Sequence, residues 1–405
     1  MAASTASRTG TRTRRSAVAL AHFLVGALAS AQLPPFMDVG YRLSWHAGGS
    51  TLAGSRLVPD PEGWSERDGQ RYRVEATRGG GGVGVQQLDV VVASGGLLVA
   101  DARGYLDAAA GGGQFMASGV DVVIGDAQGL GEYWIAPARL AALQPGFDGT
   151  TRVTRGVRRF GNADLEVVSI ASARAASYAS HTYDRASGLL LFGGTVDAQP
   201  GARIADDTGQ ILENLQGSVG YTHLAFQDVR RLDVPWLGAP TPVWLTPGTT
   251  VVYEGTRRAE FAQASGLPPL PGDAIRVAYA FERQVGGAVV ATSIVDTSNS
   301  AGVPMPPTTS RRVFASNGFD GLWIPTEALA QLVPGALLDR DPFTRQDVGY
   351  GGLSGDYHVI IVQTPGEYGE FYYDRGSGFL AFTRHRRQAD QVGVMVTDLG
   401  YVGTR

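Results

Sequence analysis

Along Arg71 to Thr77, apolar and polar residues alternate: Tyr72, Val74 and Ala76 fall between Arg71, Arg73 and Glu75. A period of two is the signature of a half-buried strand. Comparable apolar runs bounded by turn residues predict strands at Val39 to Trp45, Val83 to Val92, Leu165 to Ala171, Ser177 to Tyr183, Leu189 to Thr195 and Thr222 to Leu232. Further runs predict strands at Tyr357 to Gln363, Glu370 to Tyr373, Phe379 to His385 and Val392 to Tyr401. One short helix interrupts each series, Pro137 to Leu143 and Pro325 to Leu332. Leu140 and Leu143 are three apart, as are Leu329 and Leu332, so each pair lies on one helix face. Proline near the start and Pro-Gly after the end are boundary signals.

The pattern repeats. Tyr133-Trp134-Ile135 through Gly146 matches Leu322-Trp323-Ile324 through Gly335, keeping Trp, Ile, Leu, Ala, Leu, Pro and Gly in order. Tyr183-Asp184-Arg185-Ala186-Ser187-Gly188 matches Tyr373-Asp374-Arg375-Gly376-Ser377-Gly378. Two separate blocks at nearly one offset indicate an internal duplication. A looser match joins Arg73-Val74 to Arg276-Val277. The expected fold is mainly β: two tandem repeats, each an antiparallel twisted sheet or half-barrel with one short α-helix. Asp233 to Pro247 holds four prolines and reads as the linker, giving domains 32–236 and 237–405. Trp134, Leu140 and Leu143, with Trp323, Leu329 and Leu332, are the expected repeat core.

The Tyr-Asp-Arg-x-Ser-Gly block reads as a hairpin turn. Asp184 and Asp374 cap it with short side chains, and Gly188 and Gly378 supply the positive φ. Gly79 to Gly82 reads as a hairpin tip, and Gly351 to Gly355 as a loop between strands.

Composition narrows the chemistry. The 56 glycines among 405 residues suit many short strands joined by turns. There is no cysteine, which excludes disulfides and thiolate sites, and all 34 basic residues are arginine, which excludes a Schiff-base or P-loop lysine. Arg8, Arg12, Arg14 and Arg15 precede an apolar stretch, Ala17 to Ala29, too short to span a bilayer. Ala29-Ser30-Ala31 then fits a small-residue cleavage site, so residues 1–31 are an expected signal peptide with cleavage before Gln32. Thr13-Arg14-Arg15-Ser16 also resembles a twin-arginine signal, which leaves the export route open. Losing four arginines and no acid takes the formal charge from −4 to −8. Such an acidic chain has no electrostatic footprint for nucleic acid. No segment reads as transmembrane.

The histidines, His22, His46, His181, His223, His358 and His385, show no metal-binding spacing. No nucleophile elbow or phosphate cradle occurs. Asp339 and Asp341, near Asp347, could serve calcium but read as an Asx-Pro turn; Asp206 and Asp207 read as solvated. No catalytic residue, metal site or cofactor is expected, and the ligand-binding residues are unknown.

The order of sheet, short helix, Tyr-Asp-x-x-Ser-Gly hairpin and return strands resembles the one-sided β-sheet domains of bacterial lipoprotein carriers of the LolA and LppX type. The likeness rests on Tyr183 to Phe192 and Tyr373 to Phe382. It implies an incomplete barrel whose apolar concave face holds acyl chains. The expected function is therefore a non-enzymatic extracytoplasmic binding or structural protein, in the periplasm or outside the cell. Its versions are a carrier of an apolar small molecule and a component of the envelope or surface. The alternative is a secreted hydrolase whose acids and histidines converge only in the fold.

Overall fold

The computed structural model describes residues 33–59, 65–67, 70–107, 115–174, 177–198, 218–260, 272–315, 321–389 and 393–405. The signal-peptide region and Asp206 and Asp207 lie outside the described residues. Residues 33–405 cluster as one compact unit.

The first lobe comprises β1 (Tyr41–Pro59), β2 (Ser65–Arg67), β3 (Gln70–Ser94), β4 (Leu97–Asp107), β5 (Phe115–Asp126), β6 (Gly129–Leu130), β7 (Trp134–Ile135), α1 (Pro137–Ala142), β8 (Gly146–Phe147), β9 (Thr151–Phe160), β10 (Ala163–Arg174), β11 (Ser177–Asp184), β12 (Leu190–Ala198) and β13 (Ser218–Arg231). The second comprises β14 (Thr250–Glu260), β15 (Asp273–Val285), β16 (Ala288–Ser298), β17 (Thr308–Phe314), α2 (Thr326–Ala330), β18 (Leu337–Arg340), β19 (Asp347–Ser354), β20 (Tyr357–Gln363), β21 (Glu367–Asp374), β22 (Leu380–Ala389) and β23 (Gly393–Thr404).

Each lobe is one antiparallel sheet, of thirteen and ten strands, and both follow the same path. The lobe's first strand pairs with its last at the centre, β1 with β13 and β14 with β23. From the first strand the chain meanders outward to one edge, crosses through the short helix, and meanders back from the other edge. The first lobe is mainly the longer version, with β2, β6 and β7 added. Such sheets bury one face, and the register accounts for which residues lie there. In β1, Leu43 and Trp45 are fully buried with Leu88, Val90 and Leu98.

The segment leading into each first strand covers that apolar face. Pro35–Met37 forms a turn of 3-10 helix that places Met37 in the first core, with Leu33 and Phe36 packed alongside. In the second lobe Leu232, Val234, Trp236 and Leu245 join the core of Val251, Tyr253 and Phe281. Asp233 to Pro247, expected as a linker, is thus a packed cover, because its proline-rich turns still expose apolar side chains to an unsatisfied sheet.

The lobes also pack on each other. Val91, Val92, Val99 and Val122 form one buried cluster with Ala288, Val290 and Val313. Gly286, at φ +55°, approaches so closely that a Cβ there would meet Val92 Cγ1 at 2.4 Å.

Several expectations are corrected. Gly79 to Gly82 is no hairpin tip: these residues lie inside β3, paired with Gly49 to Leu52 of β1. Glycines extend as readily as they turn, and the long facing strand decides. Gly351 and Gly352 lie in β19, where a bulge sets Gly352 at φ +101°. The helices are shorter than expected, ending at Ala142 and spanning Thr326–Ala330.

Candidate functional site at the junction of the two lobes

The two recurring blocks of each repeat meet. In the first lobe the Ile135 amide donates to the Gly188 carbonyl at 3.0 Å, and the Leu190 amide donates to the Tyr133 carbonyl at 3.0 Å. In the second, Ile324 donates to Gly378 at 3.0 Å and Leu380 to Leu322 at 2.9 Å. A buried tyrosine completes each latch: the Tyr183 hydroxyl donates to the Glu132 carbonyl, and the Tyr373 hydroxyl to the Gly321 carbonyl. Burial pushes the Tyr183 phenol up, with Glu132 adding to it, so it stays a neutral donor.

Asp184 and Asp374 hold the turns. Asp184 accepts from the Ser187 amide at 2.8 Å and from the Ser187 hydroxyl. Asp374 accepts the Ser377 amide at 2.8 Å and its hydroxyl at 2.7 Å. The Ser377 hydroxyl and the turn amides hold the Asp374 carboxyl below its usual range against partial burial. Gly188 sits at φ +78° and Gly378 at +68°. A Cβ would lie 1.9 Å from the Ile135 carbonyl oxygen at the first and 2.0 Å from the Ile324 carbonyl oxygen at the second.

The sequence-derived core residues fall unequally. Trp134 and Leu140 are fully buried, and Trp134 Nε1 donates to the Ser187 carbonyl at 2.9 Å. Leu329 is fully buried, while Leu143 and Leu332 are partly so. Trp323 is half-buried and lines a cavity of about 10 Å³ with Thr241, Leu245, Phe314, Ala315 and Leu322. That is room for about one water.

Among the described residues, a dense polar network lies between the lobes. Arg42 in β1 is opposite Asp89 of β3 on one side and Arg230 of β13 on the other. Its Nε donates to Asp89 Oδ1 at 2.6 Å and its Nη2 to Oδ2 at 2.8 Å. Two arginines side by side repel, and the second lobe supplies the compensation. Asp341 Oδ2 accepts Arg42 Nη1 at 3.1 Å, Gln87 Nε2 at 2.5 Å and Arg230 Nη2 at 3.4 Å. Asp339 accepts both Arg230 Nη atoms, at 2.6 and 2.7 Å. Asp341 Oδ1 caps its own turn, accepting the amides of Phe343 and Thr344. The expected Asx-Pro turn is therefore also the second lobe's contact with the first.

Arg42 is 1% exposed and Asp341 0%. Burial alone would push Asp341 up, yet Arg42, the Thr344 amide, Arg230 and Gln87 hold it below the usual carboxylate range. Burial opposes the charge on Arg42, and Asp89 with Asp341 keeps it firmly protonated. This is a paired, hydrogen-bonded charge cluster, the form in which buried charge is tolerated. On the same face of β1, two positions beyond Ser44, His46 lies 5.8 Å from His223 between ring centroids. Burial and the neighbouring His46 push His223 down to about 4.

The other described histidines stand apart. His358 shares a 2.8 Å hydrogen bond with the Tyr350 hydroxyl, and His181 one of 3.2 Å with Glu132. Among the described residues no three acidic or histidine side chains gather as metal ligands, and no helix is long and apolar enough to cross a membrane.

Sequence reasoning reached Asp339 and Asp341 but not Arg42, Gln87, Asp89 or Arg230. Alternation along Tyr41 to Trp45 puts Arg42 on the polar face, which reads as solvent-facing. In the fold that face meets Asp341 of the second lobe.

No protein-family model matches the chain, and no curated protein does. Among solved structures, it is similar to a mutant of the vaccine antigen transferrin binding protein B from Haemophilus parasuis, at 11% identity. That alignment covers 89% of this chain and 77% of the other, with a TM-score of 0.11, too low to carry a functional argument.

Proposed function

We propose that this chain is a non-enzymatic extracytoplasmic binding or structural protein in which the two repeats, residues 32–236 and 237–405, act as one rigid body. The observation that carries this reading is the use each repeat makes of its apolar face. Met37 is buried in the first lobe's core, and Trp236, at the end of the first repeat, is buried with Leu245 in the second lobe's core, so on this reading the chain itself occupies the faces a carrier would leave for cargo. Side chains belonging to the chain itself satisfy the faces, and the valine cluster and the Arg42–Asp341–Arg230 network hold the lobes together. A buried charge network of this kind specifies one docking geometry, since any other leaves charge unpaired. The resemblance to one-sided lipoprotein carriers extends on this reading to the sheets and not to an acyl-chain cavity.

A fluorescent apolar probe titrated into the exported protein tests the reading. Its expected outcome is no saturable binding and no lipid in an organic extract of the purified protein. Saturable binding competed by a fatty acid would favour the carrier instead. Export itself is tested by sequencing the N-terminus of the secreted protein, which is expected to begin at Gln32.

A further inference from the structure

Among the described residues, several sheet edges are met by neighbouring chain. β7 is bonded to the residues leading into β12, and β17 lies against β5 of the other lobe. In the second lobe β18 pairs with β19 from Asp347 to Gly349, and Gly335 and Ala336 bond to Tyr350. The bulge at Tyr350 to Gly352 then breaks the rest of that edge. The corresponding strand of the first lobe, β9, is different. It pairs with β10 along its whole length with no register shift. On its other side β8 reaches only Arg152 and Val153. From Thr154 to Phe160 no ladder is described on the outer side, and Val157 is 60% exposed. Seven residues of edge without a register shift span roughly 24 Å, a length that natural sheets ordinarily cover or bend, and only the Phe160 ring at its end turns in, onto Phe192 and Phe226.

The same stretch is basic. β9 carries Arg155, Arg158 and Arg159 there and no acid. Arg155 Nη2 rests on the carbonyls of Ala141 and Leu143, and Arg159 Nε on that of Gly161, so these contacts are with neutral oxygens. On the neighbouring strand Asp164 lies opposite Arg159, and Glu166 is engaged by Arg185 at 2.7 Å.

We propose that the open edge of β9, Thr154–Phe160, docks an extended acidic peptide segment of a partner protein, which adds to the first sheet as a further strand. Backbone pairing supplies the affinity, and Arg155 and Arg159, on one face of β9, select acidic side chains on the incoming strand. A second copy of this chain is disfavoured as occupant, because antiparallel pairing about Gly156 and Val157 would set arginine against arginine. The edge shares no residue with the junction network, and only the Phe160 ring reaches the side of the covered face, at Phe226, so it stands or falls apart from the function proposed above.

The probe is a labelled ten-residue peptide of alternating Glu and Val, with carbon-13 at two central carbonyls, titrated against the full exported chain. A Lys-Val peptide is the counterpart. The Glu peptide is expected to bind saturably and at least tenfold tighter than the Lys peptide. Its isotope-shifted amide band should move to the β-sheet position on binding. R159E should weaken binding at least tenfold; should that variant not fold, R159Q should weaken it severalfold with an unchanged melt. Equal binding of both peptides, a bound peptide that stays unstructured, or an edge already occupied by a second copy in sedimentation would overturn the proposal.

Discussion

Ile135 and Gly188 lie 53 positions apart in the chain, yet the amide of the first donates to the carbonyl of the second at 3.0 Å. Ile324 and Gly378 repeat the bond at the same distance. The two sequence blocks that reveal the duplication are thus the two halves of one latch, which ties the segment before each helix to a hairpin of the returning strands. Glycine is required twice over at the hairpin, by its positive φ and by the carbonyl lying where a Cβ would be. Gly188→Ala or Gly378→Ala should destabilise the protein by at least about 1–3 kcal/mol, measured in denaturant melts. A neutral result at either position would mean that the latch does not hold the fold.

Trp236 is 1% exposed within the second core although it belongs to the segment before β14. Trp236→Ala should cost about 3–5 kcal/mol, as expected for removing a large buried aromatic side chain. The measurement is the urea midpoint of the full chain. A change within about 0.5 kcal/mol, typical of surface positions, would show the segment to be a simple tether.

His223, held down to about 4 by burial and by His46, takes up its proton more readily in the unfolded chain, near the ordinary 6.5. The unfolded state therefore binds more protons between those values, and stability falls as pH drops from about 6.5 towards 4. Proton NMR of the imidazoles should show His223 titrating near 4. His46→Ala should raise that midpoint by removing the like charge. A His223 midpoint at 6.5 in the intact protein would contradict the burial described here.

Much of the architecture was legible in the sequence, for identifiable reasons. Alternation at Tyr72, Val74 and Ala76 and the repeated Trp-Ile and Tyr-Asp-Arg blocks report local geometry, which the chain must satisfy wherever it lies. The predominance of strands, the antiparallel sheets and the single helix per repeat follow from them. The length of β3 was not legible, because Gly79 to Gly82 suits a turn as well as a strand and only the facing residues of β1 decide. The proline-rich stretch around Trp236 hid its packing for a similar reason, since prolines announce irregular backbone but not what it covers. The junction was the least legible part: Arg42 and Asp341 are 299 positions apart. Nothing local distinguishes a polar strand face that meets water from one that meets another lobe.

Asp341 adds a second acid-sensitive group. Its folded pKa is depressed by Arg42, the Thr344 amide, Arg230 and Gln87 against the effect of burial. Its contribution is present above the unfolded value of about 3.9 and is lost as pH falls through the lower folded value. The melting temperature should therefore drop again below about pH 4, and Asp341→Asn should flatten that limb while lowering stability at neutral pH. An acid limb unchanged in the variant would show that the carboxylate is not charged and paired as described.

Scanning calorimetry of the exported chain at pH 7, with and without Asp341→Ala, tests most directly whether the repeats form one body. The junction network predicts a single cooperative transition for the native sequence. Removing Asp341 leaves Arg42 and Arg230 short of a partner, which should cost about 3–5 kcal/mol and split the transition as the lobes uncouple. Two independent transitions in the native protein, at temperatures that the substitution leaves unchanged, would contradict it.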